Sequence, residues 1–419
     1  MTEHEKGNAK YILKLNTRKI LNLIREKSLI SRADLSKLSG LSAPTISRII
    51  DDLINAGFVK EAGRGASIGG RRPYLLQYFP DNNFIIGIDL GTTNILGVVA
   101  NLEAKIIAEE KIPTKVEEGF YNVMERTWSV IKKLKMKLGK KQNRLCGIGM
   151  AVAGLINKKK NIVEFSPNFR WYDADIIGYL SQKTNIPIVF DNVTRVMALG
   201  ELYYGIGKKY KNFICVNVGY GIGAGIIINR KPLFGANGMA GEFGHITLEK
   251  DSKIQCYCGN FGCLEALASG NGIARAAQLE LKKIGSKSIM WSMCKGDLNK
   301  ITAEIVFLAA KKGDTLAWSI INKATEYLGI GISALINLFN PEAIVIGGGV
   351  AQAGDIFFDG IKKIVRARAL NRAVKEVTIQ PATFGLKAAV MGAVSLITQK
   401  VLSLEFYDYL RYKSLQLHQ

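Results

Sequence analysis

The chain has 419 residues, 48% hydrophobic and 22% charged, which is the balance of a folded globular protein and excludes a disordered or fibrous chain. No apolar run approaches the roughly 18 residues of a membrane span, and Met1 to Lys14 is polar where a signal peptide is apolar, so a cytoplasmic protein without membrane contact is expected. Its 57 Lys and Arg against 35 Asp and Glu leave +22, densest in residues 1–80, where 14 basic side chains face 7 acidic ones, and this favours a polyanionic partner.

Ile20, Leu21, Leu23 and Ile24 recur at helical spacing and predict a first helix that stops near Lys27. Arg32 to Ser39 reads as a short second helix with Ala33, Leu35 and Leu38 inward, followed by the turn Gly40-Leu41-Ser42. Ser42 is placed to cap a third helix, Pro44 suits its first turn, and Ile46, Ile49, Ile50, Leu53 and Ile54 form its buried stripe up to Gly57. Thr45, Ser47 and Arg48 are left on the outer face. Three helices with a glycine turn between the second and third make a helix-turn-helix, whose third helix enters the major groove with its N-terminal residues against base edges. Ser42, Thr45, Ser47 and Arg48 are therefore the candidate DNA contacts. Phe58 to Glu61 and Tyr74 to Phe79 read as two strands around a loop holding Gly63, Gly65, Gly69, Gly70, Arg64, Arg71 and Arg72. Arginines on such a wing reach phosphates or a minor groove. The competing reading of this head is a small helical protein-contact module with a solvated basic loop.

From Asn83 strands alternate with helices. Phe84 to Asp89, Ile95 to Ala100 and Lys105 to Ile112 read as strands, and the first two enclose Leu90-Gly91-Thr92-Thr93-Asn94. A glycine-centred hairpin of this kind offers amides and hydroxyls to a phosphate. A second follows: strand Phe213 to Val218, a turn from Gly219 to Gly225, and strand Ile226 to Asn229. Two such hairpins predict an internally duplicated α/β fold. A third glycine cluster, Gly347-Gly348-Gly349, follows strand Ala343 to Ile346. Each of these is equally readable as a tight turn alone. Six cysteines are too few for a disulfide scaffold, yet Cys256, Cys258 and Cys263 fall within eight positions, which suggests metal. Cys146, Cys215 and Cys294 sit in or beside apolar segments and read as buried thiols.

Taken in order, these elements resemble the ROK family (repressors, open reading frames and kinases), within the sugar kinase, heat-shock protein and actin superfamily, over nearly the whole chain. The most specific piece is Gly241-Glu242-Phe243-Gly244-His245 followed by Cys256-Tyr257-Cys258-Gly259-Asn260-Phe261-Gly262-Cys263-Leu264-Glu265. The resemblance implies a winged helix-turn-helix, mostly α with a β wing, over residues 1–80. A duplicated α/β body, actin-like and sugar-kinase-like, follows with lobes at 81–200 and 201–399 and a tail at 400–419. It implies a structural Zn2+ held by His245, Cys256, Cys258 and Cys263, a standard tetrahedral set. It also implies a sugar pocket formed by Gly154, Asn168, Asn192, Glu242, His245 and Glu265, with Ser166 to Trp171 lining the same cleft.

Kinases of the family carry an Asn-Asp pair ahead of an Ala-rich helix and a Gly-Glu pair, with the Asp as general base. Counting back from Gly200-Glu201, the Asn falls on Asn192 and the Asp on Val193, and a valine cannot take a proton. Asp191 would serve only through a slipped loop. Tyr220 stands where the kinases usually have Thr. No catalysis and no ATP cofactor are therefore expected, with Asp89, Gly91, Thr92, Thr93, Gly219 and Gly221 as a vestigial phosphate cradle. A sugar cleft without its base behind a winged helix resembles the family's repressors, the xylose-responsive ones most. That implies operator DNA and xylose or a related monosaccharide as ligands, and at least a homodimer. The alternatives are a sugar kinase with an accessory DNA-binding head, and a binding module whose head contacts protein. After Gln399, Phe406, Tyr407, Tyr409, Leu410 and Tyr412 read as an amphipathic helix with no assigned role.

Overall fold

The computed structural model describes residues 9–65 and 72–402. Helix α1 (Ala9–Lys27) leads through a short strand β1 (Ile30–Ser31) into α2 (Arg32–Ser39) and α3 (Ala43–Asn55). Ser31 and Ser42 cap the second and third helices, their side chains accepting from the backbone N–H groups of Asp34 and Thr45, first-turn donors that have no partner within the helix. Gly40 ends α2 at φ 73, the left-handed region that a side chain disfavours. Ile46, Ile49, Ile50 and Leu53 of α3 are buried against Leu35 and α1. Ala33 and Leu38 face solvent rather than the core, since α2 has two turns and buries only Leu35 and Ser39. The wing is β2 (Val59–Arg64) paired antiparallel with β3 (Tyr74–Tyr78), and β1 adds to the other edge of β3. Strand β2 runs past Glu61 because its register shifts around Gly63, at φ 114, and pairing resumes at Arg64.

In the body, β4 (Phe84–Leu90), β5 (Asn94–Asn101) and β6 (Ile106–Pro113) form an antiparallel meander. Helix α4 (Gly119–Lys137) crosses to β7 (Leu145–Val152), which lies parallel to β4 and is buried along its whole length, as a strand covered on both faces must be. A small meander of β8 (Leu155–Asn157), β9 (Ile162–Ser166) and β10 (Trp171–Ala174), with α5 (Ile176–Ser181), precedes β11 (Ile188–Asn192). The sheet order is β11-β7-β4-β5-β6.

After α6 (Val193–Tyr204) the pattern repeats with β12 (Phe213–Val218), β13 (Ile222–Ile228) and β14 (Lys231–Pro232). Helices α7 (Leu264–Ala268), α8 (Gly270–Ile284), α9 (Ile289–Met293), α10 (Ala303–Lys311) and α11 (Thr315–Phe339) intervene. Strand β15 (Ala343–Gly347), helices α12 (Asp355–Arg368) and α13 (Asn371–Glu376), and strand β16 (Thr378–Pro381) complete an order of β14-β13-β12-β15-β16. Each sheet is thus a meander whose first strand gains two parallel neighbours on its free edge, and the fold is internally duplicated. The second hairpin turn is shorter than the sequence suggests: Gly223 and Gly225 lie within β13, where α6 packs so closely that a Cβ on Gly225 would stand 2.7 Å from that of Ala198.

The last helix, α14 (Ala388–Val401), packs along α6 and onto β4 and β7, so the end of the described chain returns to the first sheet. The head is built onto this corner. Ile20, Leu21 and Ile24 of α1 share one apolar cluster with Ile85, Val98, Val394 and Val401 of the body. Buried Asn83 donates from Nδ2 to the carbonyls of Ala56 (3.1 Å) and Gly57 (3.0 Å) at the end of the head. The predicted features at Gly69, Gly70, Arg71 and the aromatic tail lie outside the described residues.

Candidate functional site

Strands β4, β7, β11, β12 and β15 all open by their carboxyl ends on one cleft of about 430 Å3 between the sheets, the place where α/β sheets bind ligands. Asn192, the last residue of β11, caps α6: its Oδ1 accepts from the Thr194 N–H (2.9 Å), and its Nδ2 donates to the Gly154 carbonyl (2.9 Å). Across the cleft the Ile222 N–H donates to Glu265 Oε2 (2.8 Å). Glu242 and His245 come from the loop after β14. Gly241 and Gly244 let that loop lie against β13, since a Cβ on either would overlap the carbonyl oxygens of Ala224 or Ile222. Burial pushes the Glu242 carboxyl up to about 7, with Arg195 opposing and Glu265 reinforcing the shift. Burial raises Glu265 as well, against the Ile222 hydrogen bond. Asn168, on the β9–β10 turn, also lines the cleft, and its buried Oδ1 has no hydrogen-bond partner. Gly154, Asn168, Asn192, Glu242, His245 and Glu265 are thus brought to one cleft.

Asp89, Gly91 and Thr92 line it from the first sheet, Gly219, Tyr220 and Gly221 from the second, and Gly348 and Gly349 close one end; Thr93 is not among the lining residues. Two amides of this cradle are bonded within their own hairpins: Gly91 N–H to Asn94 O (3.2 Å) and Gly219 N–H to Gly221 O (2.9 Å). Burial lifts the Asp89 carboxyl to about 7. Val193 lines the cleft directly after Asn192. Asp191 is not there. It is buried with Oδ1 accepting from Arg195 Nε (3.0 Å), Arg195 Nη2 (2.8 Å) and the Asn192 N–H (2.7 Å), and with Oδ2 paired to Lys158 Nζ (2.6 Å). The slipped-loop arrangement is not the one adopted. Arg195 also donates to Gly238 O (3.2 Å) and lies over the Phe234 ring, tying the glutamate-bearing loop to α6. The sequence offers only the i,i+4 spacing of Asp191 and Arg195 as a signal for this clamp, because Lys158, Phe234 and Gly238 are far from them in the chain.

Ligand atoms of His245, Cys256, Cys258 and Cys263 all lie within 4.8 Å of one another. The Cys258 and Cys263 sulfurs are 3.8 Å apart, and Cys256 Sγ is 3.7 Å from His245 Nδ1. Tetrahedral sulfur bonds of about 2.3 Å place two sulfurs about 3.8 Å apart, so these donors fit one metal ion. Isolated bridges Thr247 to Cys263 and Gln255 to Phe261 hold the loop, and Gly259 turns it at φ 94. His245 Nε2 lies 3.9 Å from Glu242 Oε2, which links the cluster to the cleft. Cys146, Cys215 and Cys294 are buried apart from it.

On the head, Arg48 is exposed and Thr45 and Ser47 are half-buried on α3, with Ser42 and Thr45 hydroxyls 2.9 Å apart. Arg32 straps α2 to α3 by donating to Ser47 O (3.3 Å) and pairing with Asp51 (2.9 Å). Arg64 donates to the Tyr74 hydroxyl (3.2 Å) across the wing, and Arg72 is exposed; Arg71 is outside the described residues.

Two family models match the chain: the ROK family over residues 85–400 and a winged helix-turn-helix DNA-binding family over residues 13–60. The chain is similar to the xylose repressor of Caldicellulosiruptor bescii, 33% identical over 96% of this chain and all of that one. It is also similar to the glucokinase of Halalkalibacterium halodurans, 34% identical over 77% of this chain and 98% of that one. Among solved structures, a ROK family transcriptional regulator, homologue of the Escherichia coli MLC protein, superposes with a TM-score of 0.79 at 29% identity, covering 97% of this chain and all of that one.

Proposed function

The chain belongs to the ROK family, and we propose that it is a sugar-responsive transcriptional repressor of carbohydrate genes, with xylose or a related monosaccharide as effector. The observation that carries this reading is the pairing, in one chain, of a winged helix-turn-helix head with a cleft lined by Asn168, Asn192, Glu242 and Glu265; in this reading Val193 takes the place of the family's base. Helix α3 enters the major groove with Ser42, Thr45, Ser47 and Arg48 toward base edges, while Arg64, Arg71 and Arg72 reach the backbone. In the cleft Asn192, Asn168, Glu242 and Glu265 offer donors and acceptors to neighbouring hydroxyls, and such a site rejects analogues lacking one of them.

The ion held by His245 and the three cysteines is Zn2+, a structural centre that orders the loop bearing Glu242 and Glu265. A sugar acts by population shift: it favours whichever arrangement of the two sheets binds it better. Helix α6 gives that change a path. Its first turn starts from Asn192 in the cleft, and its last turn carries Tyr204, packed against the cluster that holds the head, with its hydroxyl directed at Leu102 O (3.5 Å). Heads of this kind read palindromic operators as two-fold dimers, so the working form is at least a homodimer. Asp89, Gly91, Thr92, Thr93, Gly219 and Gly221 are the remnant of a phosphate site, and ATP is not a cofactor.

The test is retention of source-genome fragments on the purified protein, followed by parallel elution with xylose, glucose, N-acetylglucosamine or ATP. Release of a few fragments by one sugar is the expected result. Failure to retain any fragment at low salt, or ATP-dependent phosphorylation of a sugar, overturns the reading.

A further inference from the structure

A second cavity opens beside the cleft, on the side of the small β8–β10 meander. It is a broad groove of about 1150 Å3, and it shares Asn168 and Tyr220 with the cleft as a common wall. Its sides are aromatic. Phe120 meets Trp171 edge to face with ring centroids 5.1 Å apart, Trp171 meets Phe169 at 4.4 Å, and Tyr121 stands 6.3 Å from Tyr179. Two rings are left out in solvent, Tyr121 at 73% and Tyr172 at 74% exposure, far beyond what a ring placed for packing shows.

The charged groups of the groove are mostly acidic. Glu117, Asp173 and Asp175 line it with Arg170 as the single cation, so in a chain of net charge +22 this wall is acidic. An acidic wall repels nucleic acid and phosphate. Two further groups lack partners: the indole N–H of Trp171, 96% buried, and Asn168 Oδ1, a donor and an acceptor at the joint between groove and cleft. Buried polar groups in folded proteins are nearly always satisfied, so this pair points to a ligand that supplies both.

Flat rings that stack on the C–H faces of pyranoses, carboxylates that accept from hydroxyls, and an unfilled donor and acceptor together suit a neutral polyol. We infer that the groove is a subsite for further sugar residues, so that the effector site takes a di- or oligosaccharide with one end residue in the cleft and the next ones on Tyr121 and Tyr172. This rests on the reading of the cleft as a sugar site.

The experiment is calorimetric titration of the full-length protein with xylose, glucose and N-acetylglucosamine, and with the disaccharide and trisaccharide of each. The wild type is compared with Tyr121→Ala/Tyr172→Ala and with Trp171→Phe, which keeps the ring and removes the N–H. The expected result is a disaccharide that binds about tenfold or more tightly than its monosaccharide. Against the expectation that Ser166 to Trp171 all line the cleft, Trp171 lines only the groove, as do Tyr121 and Tyr172, so in both variants that gain is lost while monosaccharide affinity holds. If a monosaccharide binds and no longer sugar binds more tightly, the subsite is overturned and the cleft reading stands. If no sugar of any length binds, both fall. Dissociation of an oligomer by the double tyrosine variant, with sugar binding untouched, makes the groove a protein contact and overturns the proposal.

Discussion

Gly200 of α6 and Gly392 of α14 meet without a side chain between them: a Cβ on Gly200 would stand 2.9 Å from the Gly392 nitrogen, and one on Gly392 would overlap the Val196 carbonyl oxygen. These helices lie together between the two sheets. Alanine in place of glycine within an exposed helix stabilises by about 1 kcal/mol. At this crossing the sign reverses. Gly392→Val is expected to destabilise by roughly 1–3 kcal/mol through forced separation of the backbones, read as a lower denaturant midpoint. An unchanged midpoint would show that the helices part freely.

The head predicts a division of labour among its cations. Arg48→Ala is expected to weaken binding to a retained fragment by about 1–3 kcal/mol and to relax the preference at one base pair. Arg72→Ala is expected to weaken all sequences alike, with the log–log salt slope shallower by about 0.9. Anisotropy titrations at several salt concentrations separate the two.

Glu242→Gln keeps the shape of the cleft wall and removes an acceptor charge. Affinity for the releasing sugar is expected to fall at least about tenfold, with fragment binding in its absence unchanged. Loss of fragment binding in a folded Glu242→Gln protein would sink the separation of the two sites.

Metal content offers another check. The protein is expected to carry about one Zn2+ per chain, and a strong chelator is expected to lower its melting temperature. Cys258 is exposed, so Cys258→Ser disturbs little packing and its effect reports the lost ligand. Metal analysis of the variant should show reduced retention of the ion.

Asp89 sets a pH dependence. Its carboxyl is raised from 3.8 to about 7 by burial, so the folded protein keeps a proton that the unfolded chain releases near pH 4. The unfolded state then binds fewer protons between pH 4 and 7, and stability falls as pH rises through that window. Asp89→Asn has no such proton to lose. Relative to wild type it is expected to be more stable at pH 8, with the difference shrinking toward pH 4, measured by denaturant midpoints at both pH values.

Much of this was legible in the chain where local pattern and tertiary need agree. Strand β12 over Phe213–Val218, the Ser42 cap and the duplicated hairpins each follow from apolar runs bounded by turn residues. Expectations failed where a neighbour overrides the local signal. Gly223 and Gly225 resemble a turn and serve as strand because α6 leans on them. Leu38 fits a helical stripe but α2 is too short to bury it. The pairing of Asp191 with Lys158 was not legible either, since nothing near Asp191 in sequence announces that lysine. The aromatic groove is gathered from Val116 to Tyr121, Asn168 to Gln182 and Tyr220, and no single window shows it.

The seat of the head on Asn83, and the single apolar cluster that holds residues of head and body together, bear on how such chains diversify. A head that hung from a tether would be a cassette, exchangeable between bodies by recombination at the joint. Here the joint is a tailored surface. A transplanted head would bring its own residues against Asn83 and an apolar surface that never fitted them, so new pairings of operator and effector arise by paired change across the joint.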